Sequence, residues 1–344
     1  MSFILLATAI LPLGADAAPP ATVDLRPKTI RTWTIDLPAD PFRPVAGSIP
    51  VAHAGGDGFK VEAKGIGLAI DTDGDGQVDR DVEGREHPET KIRHARVTLK
   101  GVRADGSEFT YPVRLQKAGS GWTWASGSVL MGDVEGVPVK LIDMDGNGSF
   151  ADIGSDAIAV GGDTAQFLGK SVLLAGDLHA LEVEGESLRL APFEGATGTL
   201  DLHSDFDAEG VLLAAVVKST NGQHSFELSA LEDGAPVPAG RYRLVKATLG
   251  LGDARVVANT RRMGALRVRA DETTSMVWGA PLKASFVIGS KDGALMLDPE
   301  KVRYVGAGGE VWTGWDPIGK SPSFKVKDKE TGDVLVDVVF PGSC

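Results

Sequence analysis

A single cysteine, Cys344, rules out any disulfide within the chain, so stability has to come from core packing or from bound metal. Long apolar runs are missing as well. None reaches the ~18 residues that a membrane-spanning helix requires, and Val211-Leu212-Leu213-Ala214-Ala215-Val216-Val217 has the length of a core strand. Basic residues are in deficit, 35 Lys and Arg against 47 Asp and Glu, for a net charge of −12. That balance argues against nucleic acid and against anionic membrane surfaces, both of which attract basic patches. Catalytic signatures are absent too: there is no H-E-x-x-H helix, no G-x-S-x-G elbow and no phosphate-cradling loop. Helix caps are scarce, and only Thr164–Leu174 could be a helix, with Gly169 in its middle.

The chain is instead rich in glycine, with 44 residues, and in period-two patterns. Ala95, Val97 and Leu99 alternate with polar residues, as do Phe109, Tyr111, Val113 and Leu115, then Leu266 and Val268, then Phe324 and Val326. Such runs, broken by Asp-Gly, Asn-Gly and Gly-Gly, predict antiparallel sheets joined by short turns. The expected class is all-β, in two or three antiparallel sandwich domains. Met1 to Ala17 has the pattern of a signal peptide, with an apolar core over Phe3–Leu11 and an Ala15-Asp16-Ala17 cleavage site, though no Lys or Arg precedes the core. Export to the periplasm or the extracellular space is therefore expected. Expected boundaries are 1–17 for the signal peptide, 24–190 for a β-rich domain, 196–275 for a sandwich and 276–344 for a small C-terminal β domain.

The densest chemistry lies in Asp71-Thr72-Asp73-Gly74-Asp75-Gly76-Gln77-Val78-Asp79. Oxygens from positions 1, 3 and 5 converge on one point when glycine at position 6 lets the chain turn, and positions 7 and 9 complete the shell. Asp71, Asp73, Asp75, Gln77 and Asp79 occupy those positions. An all-oxygen set without Cys or His favours Ca2+ over zinc or copper. Position 12 is Val82 where an EF-hand carries a bidentate Glu, and the flanks do not read as paired helices. A relaxed copy begins 72 residues later, with Asp143, Asp145, Asn147 and Ser149 as ligands and Ala151 at position 9. Its remaining acids slip to Asp152 and Asp156, of which Asp152 is the expected ligand. This second loop is expected to bind more weakly. For both loops, a plain acidic surface turn is the alternative.

The first loop resembles the calcium loops of dockerins and thrombospondin type 3 repeats, over Asp71–Asp79 only. That resemblance implies a bound ion and no cohesin partner. Ala235–Leu244 is similar to the strand entry of transthyretin-like and carboxypeptidase-regulatory-like sandwiches. The succession Trp122-Thr123-Trp124, Leu141-Ile142-Asp143, Thr197–Asp201, Trp278-Gly279 and Phe340-Pro341-Gly342 resembles a family of uncharacterised exported bacterial β-proteins, which implies export and architecture but no activity.

Weaker groupings remain. His87 and His94 beside Glu86 and Glu89 could bind zinc only if a turn intervened, and Asp201, His203 and Asp205 would share one strand face. Trp122 and Trp124 share a face and would suit sugar binding if exposed, whereas buried indoles would belong to a core. The expected function is that of a calcium-binding, non-enzymatic protein with a structural or binding role towards a protein or a polysaccharide. The alternative is a carbohydrate-binding module or carbohydrate-active enzyme built on tryptophan and paired carboxylates.

Overall fold

A computed structural model describes residues 20–119, 121–292, 294–297, 302–316 and 323–339. The expected signal peptide, Phe340-Pro341-Gly342 and Cys344 lie outside the described residues. The described residues form strands and turns with no helix, so the all-β class holds. The one candidate helix, Thr164–Leu174, is two short strands, Ala165–Phe167 and Ser171–Leu174. Gly169 lies between them against the backbone of Gln223 and His224, where a Cβ would come within 3.0 Å.

The alternating patterns find one another. Tyr111, Val113 and Leu115 of strand Glu108–Ala118 sit opposite Leu99, Val97 and Ala95 of strand Arg93–Val102 in antiparallel register. These strands, with Gly121–Ser126, Arg43–Pro44 and Arg85–Glu86, make a five-stranded sheet. It packs on a second sheet containing Ser48–Ile49, Phe59–Lys64, Gly67–Ile70 and Arg80–Val82. Ile49, Phe59, Ile70, Leu99, Leu115 and Trp124 fill the space between, and this is the first lobe.

The second lobe is assembled from both sides of the first in sequence. Strand Arg26–Thr29 pairs with Ser128–Val134, and Ala21–Asp24 pairs with Ser187–Pro192. One sheet carries Ser128–Val134, Val137–Ile142, Ala157–Val160 and Ala165–Phe167. On one face Leu130, Leu141 and Ile158 meet Leu181, Leu188 and Leu190 of the opposing sheet. Its other face, with Val129, Ile142 and Ala157, is covered by Ile35 and Leu37. Both faces are buried, which explains why Ala157–Val160 is apolar without alternation.

A third core spans Leu200 to Trp312, around the long strands Val211–Ser219 and Gly240–Leu251. Tyr242 donates its hydroxyl to the Pro238 carbonyl at 2.8 Å, a tyrosine corner that fixes how the chain enters the second of these strands. Trp278 and Trp312 stack with ring centres 6.2 Å apart inside this core.

Candidate metal centre

Strand Gly67–Ile70 is buried at every position and delivers Asp71 to the top of the first lobe with a side chain 1 % exposed. Asp71 does not face solvent but organises its own loop. Its Oδ1 accepts from the Asp73 amide at 3.2 Å and the Gly74 amide at 2.7 Å, and its Oδ2 accepts from Gly76 at 2.9 Å. This coil of amides draws the Asp73 and Asp75 side chains inward. Carboxylate oxygens of Asp71, Asp73 and Asp75 lie within 4.8 Å of one another. Asp79 is placed differently from the sequence expectation. Its carboxylate accepts from the Thr72 amide at 2.9 Å and the Thr72 hydroxyl at 2.7 Å, so it latches the loop and stands outside the cluster. Gln77 donates its amide to Asp75 Oδ1 at 2.8 Å.

The second loop repeats the arrangement. Asp143, 1 % exposed, follows strand Val137–Ile142 and accepts from the amides of Gly146 and Gly148, as Asp71 does from Gly74 and Gly76. The loops differ in the fourth acid. Asp156, wholly buried, turns back so that one oxygen accepts from the Met144 amide at 3.0 Å and the other from Asp152 at 2.9 Å. Oxygens of Asp143, Asp145 and Asp156 lie within 4.8 Å of one another. Asp152, the expected ligand, instead accepts from the Asn147 side-chain amide at 3.0 Å. Asn147 Oδ1 in turn accepts from the Ser149 amide at 2.7 Å, and Ser149 Oγ from Ala151 at 3.2 Å, so these two close the turn.

Electrostatics separates the two clusters. In the second, burial pushes Asp156 up to about 8 and Asp143 up to about 6, the latter against the lowering effect of its hydrogen bonds from Tyr111, Gly148 and Gly146. Burial also raises Asp145, and the Asp152 charge adds to the rise. Among the described residues no ion pair reaches any of the three. Buried like charges without a counter-ion either take up protons or gather a cation. Each cluster could hold a metal ion, and the donor set is hard oxygen.

The second loop also touches the first lobe. The Tyr111 hydroxyl donates to Asp143 Oδ2 at 2.7 Å, and burial together with the Asp143 charge holds that phenol protonated well above its ordinary range. Arg43 Nη1 donates to the Met144 carbonyl at 2.7 Å. Gly146 lies beneath Trp124, where a Cβ would meet the indole at 2.5 Å, and Gly148 lies against Val51. Because Gly146 also has φ +73°, Gly146→Ala is expected to cost about 2–4 kcal/mol, from left-handed strain and the clash together. Gly136→Ala, at φ +86° with open space around it, should cost only about 1–2 kcal/mol. Urea unfolding of the two variants gives the comparison, and equal losses would show that Trp124 gives way freely.

Between the loops runs a cleft of about 750 Å³, lined from the first lobe by Asp73, Lys100 and Phe109 and from the second by Asn147, Ser149 and Phe150. The indoles do not line it. Trp122 and Trp124 are 8 % and 2 % exposed and belong to the first core, so they offer no surface for a sugar ring. The weaker groupings resolve into turns. Asp201 Oδ1 accepts from the amides of His203 at 2.8 Å and Ser204 at 3.0 Å, Asp205 accepts from Ser275, and His87 Nδ1 caps the Thr90 amide at 3.4 Å. Sequence reasoning passed over Asp156 as a ligand, although an acid directly before the apolar run Ala157–Val160 is poised to be carried inward. It gave no sign of Tyr111 as a partner, because that residue reads as one more apolar position in its strand. In comparisons with protein-family models, curated proteins and solved structures, nothing matches this chain.

Proposed function

We propose that this is an exported β-protein stabilised by calcium at two loops, serving a binding or structural role in the cell envelope or outside the cell rather than catalysis. The observation that carries this reading is the pair of carboxylate clusters, each drawing three aspartates within 4.8 Å. Calcium suits them better than magnesium, since it accepts six to eight oxygens in irregular loops whereas magnesium demands a near-ideal octahedron. The cleft between the loops, with walls from two lobes, is the place where a protein or polysaccharide partner would be held.

The test is calcium titration with thermal unfolding, repeated with magnesium. A site with a dissociation constant of roughly 10⁻⁴ M at about 2 mM free calcium contributes on the order of 1.8 kcal/mol. Asp73→Ala should abolish the increment from the first loop. Asp145→Ala should remove at least as much, because Asp156 gives the second loop a third carboxylate and a more buried setting. A melting temperature indifferent to calcium, or variants that keep the full shift, would reduce both loops to acidic turns. A polysaccharide screen run in calcium and again in chelator addresses the binding role, and the cleft reading requires that any ligand found be lost with Lys100→Ala or Phe109→Ala.

A further inference from the structure

We propose that a divalent cation in the Asp143–Asp145–Asp156 cluster fixes the first lobe on the second, with Tyr111 as the positioning residue that carries the coupling. The proposal rests on the reading of the second loop as a cation site. The chain passes between the lobes at two short connections, 38–42 and Gly127. Gly127 ties them by its backbone, donating to the Pro112 carbonyl at 2.7 Å and accepting from the Ile30 amide at 3.0 Å, and the rest of the hold comes from side-chain contacts at the seam.

Several of those contacts converge on one loop. Tyr111 and Arg43 reach Asp143 and Met144 by hydrogen bonds, while Trp124 and Val51 close over Gly146 and Gly148. All four partners belong to the first lobe, and the loop belongs to the second. Other side-chain contacts at the seam lie away from this loop, among them Arg96 Nη1 donating to the Ile30 carbonyl at 3.1 Å and the Arg114 guanidinium stacked on Trp33 at 3.5 Å. The first loop has no comparable role. Its anchors, Asp71 to the Lys60 carbonyl and Lys100 to the Thr72 carbonyl, stay within its own lobe.

An ion that draws Asp143, Asp145 and Asp156 together would fix the course of residues 143–148, and with it the surface on which Trp124 and Tyr111 rest. By reciprocity, whatever loosens the seam must weaken the ion. Tyr111 is the outer partner of a ligand carboxylate, and loss of such a partner costs about 10- to 100-fold in metal affinity.

The experiment uses the full chain with Cys344→Ser and spin labels at Thr98→Cys in the first lobe and Glu184→Cys in the second, both exposed. Pulsed dipolar spectroscopy reads the distance between labels, and calorimetry with calcium chloride reads binding. Calcium is expected to narrow the distance distribution in this background and in Asp73→Ala, but not in Asp145→Ala. Tyr111→Phe should leave the distribution broad at a calcium level that narrows the parent, and should bind at the second loop about tenfold more weakly. If calcium binds at the second loop and the distribution does not change, or if Tyr111→Phe matches the parent in both measurements, the coupling is wrong. If Asp145→Ala binds calcium with unchanged stoichiometry and affinity, the site itself is wrong and the coupling goes with it.

Discussion

Asp143→Ala is expected to be the most damaging single substitution in either loop, lowering stability in calcium by about 3 kcal/mol or more. The Asp143 carboxylate accepts from the Tyr111 hydroxyl and from the amides of Gly146 and Gly148, all at a site 1 % exposed. Truncation leaves those donors without an acceptor, and each buried orphan costs roughly 1–3 kcal/mol. Relief of repulsion with Asp145 and Asp156 works in the opposite direction, and it is largest when no cation is present. Asp143→Asn tells the two effects apart. It keeps one acceptor oxygen, enough for Tyr111 and Gly148, and removes the charge, so in chelator at pH 8 it should be more stable than the alanine variant, while in calcium it should lose the ion's contribution. Differential scanning calorimetry under both conditions supplies the four values. An alanine variant as stable as the asparagine variant in calcium would show that the hydrogen bonds to this carboxylate matter little.

The second large effect is on pH dependence. Both Asp143 and Asp156 have folded pKa values raised above the ordinary aspartate value of 3.8, to about 6 and about 8, by burial. A raised folded pKa means that the folded state favours the proton. The stability this provides is complete below about pH 4 and is lost as pH rises through about 6 and then about 8. Without calcium the protein should thus lose melting temperature between pH 5 and pH 8.5. Calcium requires the deprotonated carboxylates, so its stabilising shift should be small at pH 5 and should grow across the same interval. Thermal scans of dialysed protein with and without calcium at half-unit steps provide the curve. A calcium shift larger at pH 5 than at pH 8.5 would contradict the assignment of the second loop.

What could be read from the sequence was what depends on local pattern. Period two in residues 95–99 and 109–115 gave both strands and the face each buries, and those faces meet in register. The coil of the first loop followed from Asp71, Asp73, Asp75 and the glycines between them. What could not be read depends on contacts distant in sequence. Asp156 joins Asp143 because strands Val137–Ile142 and Ala157–Val160 pair, placing Ile142 opposite Ala157 and so the two acids side by side. Asp79 stands outside the cluster, its carboxylate engaged by the Thr72 hydroxyl and amide. The faint 72-residue repeat shows the same division. Two glycine amides wrap each leading aspartate, Gly74 and Gly76 on Asp71 and Gly146 and Gly148 on Asp143, but Val61 pairs with Ile70 while Val134 pairs with Val137, so the leading hairpins are of different length.

The position of the two loops gives them unequal freedom to change. The first hangs from the end of one lobe: a Cβ on Gly76 would meet nothing within 4 Å, though its φ of +84° still favours glycine, and Gly74 lies against His53 of the same lobe. A residue exchanged there disturbs its own lobe and not the seam, so that segment can vary at its tip while the placement of the lobes persists. The second is wedged under Trp124 and against Val51, so any change of its shape is transmitted to another lobe's core. Two nearly equivalent turns in one chain are thus held to different standards by their surroundings. Random mutagenesis with selection for folded protein should recover more sequences over residues 72–77 than over 143–148.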